Sequence, residues 1–274
     1  MTSEPRHVDV AVAVVGAGFS GIAVAIALQK RGIEDFVLLD ANPVAGGTWK
    51  VNRYPGCACD VPSHLYSFSF APNPDWSHVF SSQPEIRDYT DRVIADYGLA
   101  AHIRLNAQVN EARWRADPGD WWLTLANGDT LAAKVVVTAT GALRIPAIPV
   151  VSGASSFTPP AWHSAQWRDD VDLKDKTVAI VGTGASAIQL VPALAPNVKK
   201  LIVYQRTPAW VMPRNDRAYS AGEKRRFSAW PWRRKLHRFR LYWRMELGAI
   251  AFVTAPRLMR LVAWLARRHI SAGI

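Results

Sequence analysis

The stretch Val10-Ala11-Val12-Ala13-Val14-Val15-Gly16-Ala17-Gly18-Phe19-Ser20-Gly21-Ile22-Ala23-Val24-Ala25-Ile26-Ala27-Leu28 decides the fold. Its first six residues are a continuous small apolar run of the kind buried in a parallel sheet. A glycine turn follows, and then a helix-like segment that Gly32 stops. The three glycines are needed for different physical reasons. Gly16 permits the tight turn, Gly18 lets the backbone approach a pyrophosphate, and Gly21 lets the helix pack closely on the strand. The helix start offers unpaired N–H groups and the positive end of its dipole to phosphate. Phe36-Val37-Leu38-Leu39 reads as the next strand and ends on Asp40, 24 residues past Gly16, where a ribose 2′-hydroxyl needs an acceptor.

The same pattern returns later in the chain. Thr177–Val181 leads into Gly182-Thr183-Gly184-Ala185-Ser186-Ala187, a helix-like IQLVPALA, and a strand Leu201–Tyr204 followed by Gln205-Arg206-Thr207. Arg206 stands 24 residues past Gly182, the place Asp40 takes in the first repeat. A carboxylate there favours a free 2′-hydroxyl, whereas a guanidinium can clamp a 2′-phosphate with paired hydrogen bonds. The reading is therefore FAD in the first fold and NADPH in the second.

Between the repeats, residues 42–70 are dense in turn formers yet rich in aromatics, with Asp60 as a turn acceptor or a functional acid. Residues 104–140 alternate as a β-meander around an Asn127-Gly128 turn, and its last, apolar strand is expected to return to the middle of a buried sheet. The expected fold class is α/β: two Rossmann-like dinucleotide-binding folds with a small β-meander insertion and a C-terminal helical excursion. The expected domains are residues 1–145 for FAD and 146–274 for NADPH, with a basic helical segment at about 220–270.

At 274 residues and 49% apolar composition, a disordered tail and a disulfide-stapled miniprotein are excluded. The net charge of +11 is not spread evenly, because residues 201–274 hold 16 Lys and Arg against 3 Asp and Glu, and the remainder is nearly balanced. No motif supports a nucleic-acid role. The basic segment reads as a helical excursion of the second domain, with weak contact to an anionic membrane surface as the sharper alternative. Cys57 and Cys59, one residue apart, suit neither an easy disulfide nor a structural zinc site, which points to a reducing, cytoplasmic setting and no metal.

The two glycine loops, Gly46-Gly47-Thr48-Trp49, Asn52-Arg53-Tyr54-Pro55-Gly56 with Asp60, Thr138-Ala139-Thr140-Gly141 and the stretch Phe157–Trp167 together resemble the Baeyer–Villiger monooxygenases, a class B flavoprotein family. In that last stretch Phe157, His163 and Trp167 match the family fingerprint, Pro159 stands where the fingerprint has glycine, and Arg168 replaces the usual proline or aspartate.

The resemblance implies an FAD- and NADPH-dependent enzyme that uses O2 to insert an oxygen beside a ketone carbonyl through a C4a-peroxyflavin. It further implies FAD contacts at Gly16, Gly18, Phe19, Ser20, Gly21, Asp40, Gly47, Thr48 and Trp49, with Tyr66 and the Val109 backbone completing the pocket. NADPH contacts would fall at Gly182, Thr183, Gly184, Ala185, Ser186, Gln189, Arg206 and Thr207. Asp60 would be the catalytic carboxylate near the flavin, and His163 would couple domains. Family members are roughly twice this length, so the chain is expected to be a truncated N-terminal half. The alternatives are an N- or S-oxidising flavin monooxygenase and an inactive module.

Overall fold

In the computed structural model, residues 7–207, 214–253 and 258–272 are described; the polar opening and residues 254–257 of the basic segment lie outside them. In chain order the elements are β1 (His7–Val15), α1 (Phe19–Gln29), β2 (Phe36–Leu39), α2 (Thr48–Val51), α3 (Gln83–Asp96), β3 (Ile103–Arg104), β4 (Val109–Arg115), β5 (Asp120–Leu125) and β6 (Thr130–Thr138). They continue with β7 (Thr177–Val181), α4 (Ala185–Leu194), β8 (Lys200–Tyr204), α5 (Ala221–Ala229), α6 (Pro231–Val253) and α7 (Leu258–Ala272).

Two compact units form, and both are discontinuous in sequence. One joins the chain up to Arg53 with Ile86–Trp167; the other joins Tyr54–Glu85 with the chain from Arg168 onward. The sequence pattern suggests instead a single boundary, after residue 145. The segment Tyr54–Glu85 groups with the second unit because its backbone finds partners in the stretch before α5: Val79 N–H donates to the Arg217 carbonyl at 2.9 Å and Tyr219 N–H to the Ser77 carbonyl at 2.8 Å.

The first unit is built on a six-stranded sheet of order β3-β2-β1-β6-β5-β4. β1 pairs in parallel with β2 and β6, while β6, β5 and β4 run antiparallel, so the meander extends the parallel core into one continuous sheet. Val14, Ala13, Leu38 and Leu39 are fully buried, as the continuous apolar runs require. In β5 the alternation sends Leu123 and Leu125 into a cluster with Ala13, Leu39, Ala107, Leu131 and Ala133. The last meander strand is buried less than its composition suggests: Leu131–Ala133 are covered, but Val135 is 49% exposed. Gly128 takes a left-handed φ of +90° in the β5–β6 hairpin, the conformation an Asn-Gly turn supplies. Asp129 beside it is held by Arg104 and by Asn127.

The second unit carries a two-stranded parallel sheet, β7-β8, joined through α4. Here Val181 and Tyr204 are 76% and 57% exposed, in contrast to β1. α5 opens with a full capping box, Ser220 accepting from the Glu223 N–H while Glu223 accepts from the Ser220 N–H. α6 docks through Arg234, His237, Arg238 and Leu241: the Arg238 guanidinium donates to the carbonyls of His64 and Ser67, and Leu241 is 7% exposed.

Candidate dinucleotide-binding sites

In the first unit the strand–turn–helix sequence dictates a specific backbone. Gly16 turns at φ +110° and its N–H donates to the Leu39 carbonyl at 2.7 Å. A Cβ at Gly16 would lie 2.4 Å from the Ala139 carbonyl oxygen, so the glycine turn rests directly on the Thr138–Gly141 segment. A Cβ at Gly21 would fall 1.9 Å from the Gly16 carbonyl oxygen, so helix and turn touch backbone to backbone. Gly18 is the N-cap of α1, with no side chain capping it and no acid in the first turn. Ile22 N–H makes the first helical bond, to Gly18, which leaves the N–H groups of Phe19, Ser20 and Gly21 facing the open end.

Asp40 closes this site from β2. It is 6% exposed, and its carboxylate accepts the Ala17 N–H at 2.8 Å and both the N–H and the Nδ2 of Asn42 at 2.9 Å. A buried carboxylate is tolerable only with such donors. Gly46 N–H donates to the Ala17 carbonyl, and a Cβ at Gly47 would sit 2.9 Å from the Gly18 Cα. The structure thus brings Gly16, Gly18, Phe19, Ser20, Gly21, Asp40, Gly47, Thr48 and the buried Trp49 into one neighbourhood. Val109 starts β4 opposite Leu125 and packs against the core cluster.

The second loop repeats the backbone turn and first helical bond of the first. Gly182 turns at φ +108° and donates to the Tyr204 carbonyl at 2.9 Å; Gly184 is an uncapped N-cap; Ile188 N–H donates to Gly184. Space around Gly182 and Gly184 is open, and Ala187 occupies the place of Gly21. Thr183 Oγ1 reaches the Thr207 carbonyl at 3.5 Å. Arg206 is exposed beside the loop and makes no hydrogen bond or ion pair among the described residues. Open loops, free N–H groups and an uncommitted guanidinium fit a phosphorylated ligand. A surface depression of about 470 Å³ lined by Asp172, Lys174 and Asn197 lies before β7 and β8, at the end of the strands away from the glycine loop.

Asp60 and Tyr66, which the family resemblance assigns to the flavin pocket, lie in the second unit. Asp60 is exposed on a loop fixed at many points: Cys59 N–H donates to Ser81, Gln83 N–H to Cys57, and the Arg214 guanidinium to the Cys59 carbonyl at 3.0 Å. The Gln189 side-chain amide is engaged by this same loop, through Tyr54 and both polar groups of Ala58. Sequence reasoning missed that role, and no local signal marks it, since the partners are 131 and 135 residues apart. Of the fingerprint residues, Phe157 is 60% exposed, His163 Nδ1 accepts the Ala165 N–H as the cap of a short 3-10 turn, and Trp167 packs edge-on against Trp162.

A family model for pyridine nucleotide-disulphide oxidoreductases matches residues 13–226, a span that includes both glycine loops. The chain belongs to that family. Disulfide chemistry does not follow from the family's name: Cys57 and Cys59 are free and buried, and burial raises the Cys57 thiol and pushes Cys59 up to about 11, which disfavours the thiolate a disulfide exchange needs. Within the family, the chain is 47% identical over 271 residues to a Baeyer–Villiger monooxygenase of Streptomyces coelicolor, covering 99% of this chain and 52% of the relative. Cyclohexanone monooxygenase from Rhodococcus sp. Phi1, solved with NADP+, superposes with a TM-score of 0.75 at 33% identity over 82% of this chain and 44% of that one. OTEMO, solved with FAD and NADP, gives a TM-score of 0.74 at 32% identity over 80% and 44%. The chain spans about half the length of the relatives it matches. Its fold is that of the flavin monooxygenases.

Proposed function

We propose that this chain is part of an FAD- and NADPH-dependent monooxygenase that inserts oxygen beside a ketone carbonyl. The observation that carries the reading is the pair of glycine loops with matching backbone and opposite charge at the following strand end, Asp40 and Arg206. Supporting it is the 47% identity to a Baeyer–Villiger monooxygenase over nearly the whole chain. FAD supplies the redox and oxygen chemistry, and NADPH supplies the hydride.

The protein's residues bind, orient and exclude. The N–H groups of Phe19, Ser20 and Gly21 hold the FAD pyrophosphate, and Asp40, fixed by Ala17 and Asn42, accepts from the ribose. The start of α4 holds the NADPH pyrophosphate, and Arg206 pairs with the 2′-phosphate. Asp60 orients positive charge at the reacting centre. Trp49 helps exclude water from the first site. The free thiols fit a reducing cytoplasm.

The test is to supply purified protein with FAD, O2 and either NADPH or NADH, offering cyclic and aryl ketones, amines and sulfides in parallel. Ester or lactone formation driven by NADPH is expected. NADPH oxidation with amine hydroxylation and no ester would sink the ketone reading.

An anionic membrane surface is the further partner that suits α6. Opposite its docked face, Trp232, Leu236, Phe239, Trp243 and Leu247 fall at helical spacing, each 39–63% exposed, flanked by Arg233, Arg240 and Arg244. No helix among the described residues is long and apolar enough to cross a membrane, so such contact is interfacial. Co-sedimentation with phosphatidylglycerol vesicles that salt weakens is expected; equal recovery with and without vesicles would rule it out.

A further inference from the structure

Gln189 projects from the second turn of α4, directly behind the Gly182–Gly184 loop, and its amide is used at three points. Its Oε1 accepts the Tyr54 hydroxyl at 3.0 Å and the Ala58 N–H at 3.1 Å, and its Nε2 donates to the Ala58 carbonyl at 2.9 Å. The side chain thus meets both polar groups of one peptide residue, as a neighbouring strand would. On its other side Ala58 forms an antiparallel bridge with Ser82. The fit extends to the backbone: a Cβ at Gly56 would lie 2.5 Å from the Gln189 carbonyl oxygen, so only glycine lets this loop rest on α4. Asp60 follows Ala58 by two residues, and Cys57 and Cys59, 8% and 2% exposed, flank the clamped residue.

We infer that Gln189 is a positioning residue, which fixes the loop carrying Asp60 to the helix that starts at the NADPH loop, and is not itself a contact to NADPH. The inference rests on the proposed function for what Asp60 does, but the clamp has consequences that need no turnover. Two buried thiols sit within one residue of the clamped peptide, so their accessibility reports whether the clamp is closed.

The test compares wild type with Gln189→Met, which keeps the reach and loses all three bonds, and Gln189→Glu, which keeps the acceptors and sets an oxygen against the Ala58 carbonyl. Tyr54→Phe, which removes the hydroxyl bond to Gln189 together with the hydroxyl's contacts to Ser186 and Cys57 and leaves both Ala58 bonds, is the milder variant should the others fold poorly, and its rise is read at Cys59. Labelling of Cys57 and Cys59 by 4,4′-dithiodipyridine under native conditions is expected to quicken at least about tenfold in Q189M, with a smaller rise in Y54F. In Q189E the excess over wild type should shrink as pH falls, since a protonated Glu can donate to the Ala58 carbonyl. The Kd for NADPH, titrated without turnover, should stay within about threefold of wild type, and any ketone-dependent activity should lose kcat with KM for NADPH retained. Unchanged labelling in Q189M, or a tenfold loss of NADPH affinity in either Gln189 variant, overturns the inference. Failure of the monooxygenase reading would appear separately, as no ester from the wild type, and would leave labelling and NADPH titration as they are.

Discussion

Gly16 and Gly182 turn their strands at nearly the same φ, +110° and +108°, yet a side chain at the first would strike the Ala139 carbonyl and one at the second would meet nothing. The strands show the same divergence: Val14 in β1 is fully buried, whereas Ile180 at the matching place in β7 is half-buried and Val181 beside it is 76% exposed. Backbone geometry in these loops is set locally by glycine, strand and helix, while tolerance to change is set by what packs around them. The Gly21 and Ala187 positions already record this, because only the loop pressed against its own helix excludes a methyl group.

The most severe way to probe that difference is Gly21→Ala, whose Cβ would sit 1.9 Å from the Gly16 carbonyl oxygen. Forcing the turn and helix apart should cost about 1–3 kcal/mol in urea unfolding and abolish retained flavin absorbance. The reciprocal Ala187→Gly should cost only about 1 kcal/mol and leave NADPH affinity intact. If both substitutions proved equally mild, the two loops would not differ as described.

Acid separates the units next. In the second unit His64, 3% exposed with its Nε2 lacking a hydrogen-bond partner among the described residues, is enclosed by Tyr219, Phe227 and His237, with Arg234 and Arg238 nearby. Burial, reinforced by His237 and the two arginines, lowers its pKa from 6.5 to about 3. The unfolded chain therefore takes up a proton that the native site refuses, and stability should fall as pH drops from 6.5 toward 3, by roughly 2–3 kcal/mol near pH 4. His64→Phe should flatten that acid limb in denaturant titrations at pH 7.5 and pH 4.5; an undiminished slope would locate the acid sensitivity elsewhere.

Ligand selection should divide by sign. Arg206→Asp is expected to weaken NADPH relative to NADH by about 10- to 100-fold, the worth of a charge-assisted pair, with flavin retention unchanged. A preserved NADPH preference would remove Arg206 from the 2′-phosphate site. The smallest contrast lies in the strands: Val14→Ala should cost about 1–3 kcal/mol and Val181→Ala within about 0.5 kcal/mol, read from urea midpoints at constant slope.

Much of this is legible along the chain. β1, α1 and β2, and again β7, α4 and β8, follow from apolar runs punctuated by glycine, and Asp40 and Arg206 follow from spacing alone. The Asn127-Gly128 hairpin is equally plain. Sequence pattern carries α3 as well, with Ile86, Tyr89 and Val93 buried at helical spacing, yet it does not reveal which unit that helix joins. Nor can it assign Tyr54–Glu85 to the second unit, since those bonds run to Gln189, Arg214 and Arg217 across more than a hundred residues.

What the sequence alone determined is the pair of strand–turn–helix repeats and the charge that follows each, because φ > 0 at glycine, helix starts and strand periodicity are properties of a few neighbouring residues. Tertiary structure alone decided which strands are covered, that Asp40 commits its carboxylate to Ala17 and Asn42, and that Gln189 serves the Asp60 loop. Those outcomes depend on which distant backbone groups arrive with unmet hydrogen bonds, and a buried polar group takes whichever partner the fold delivers.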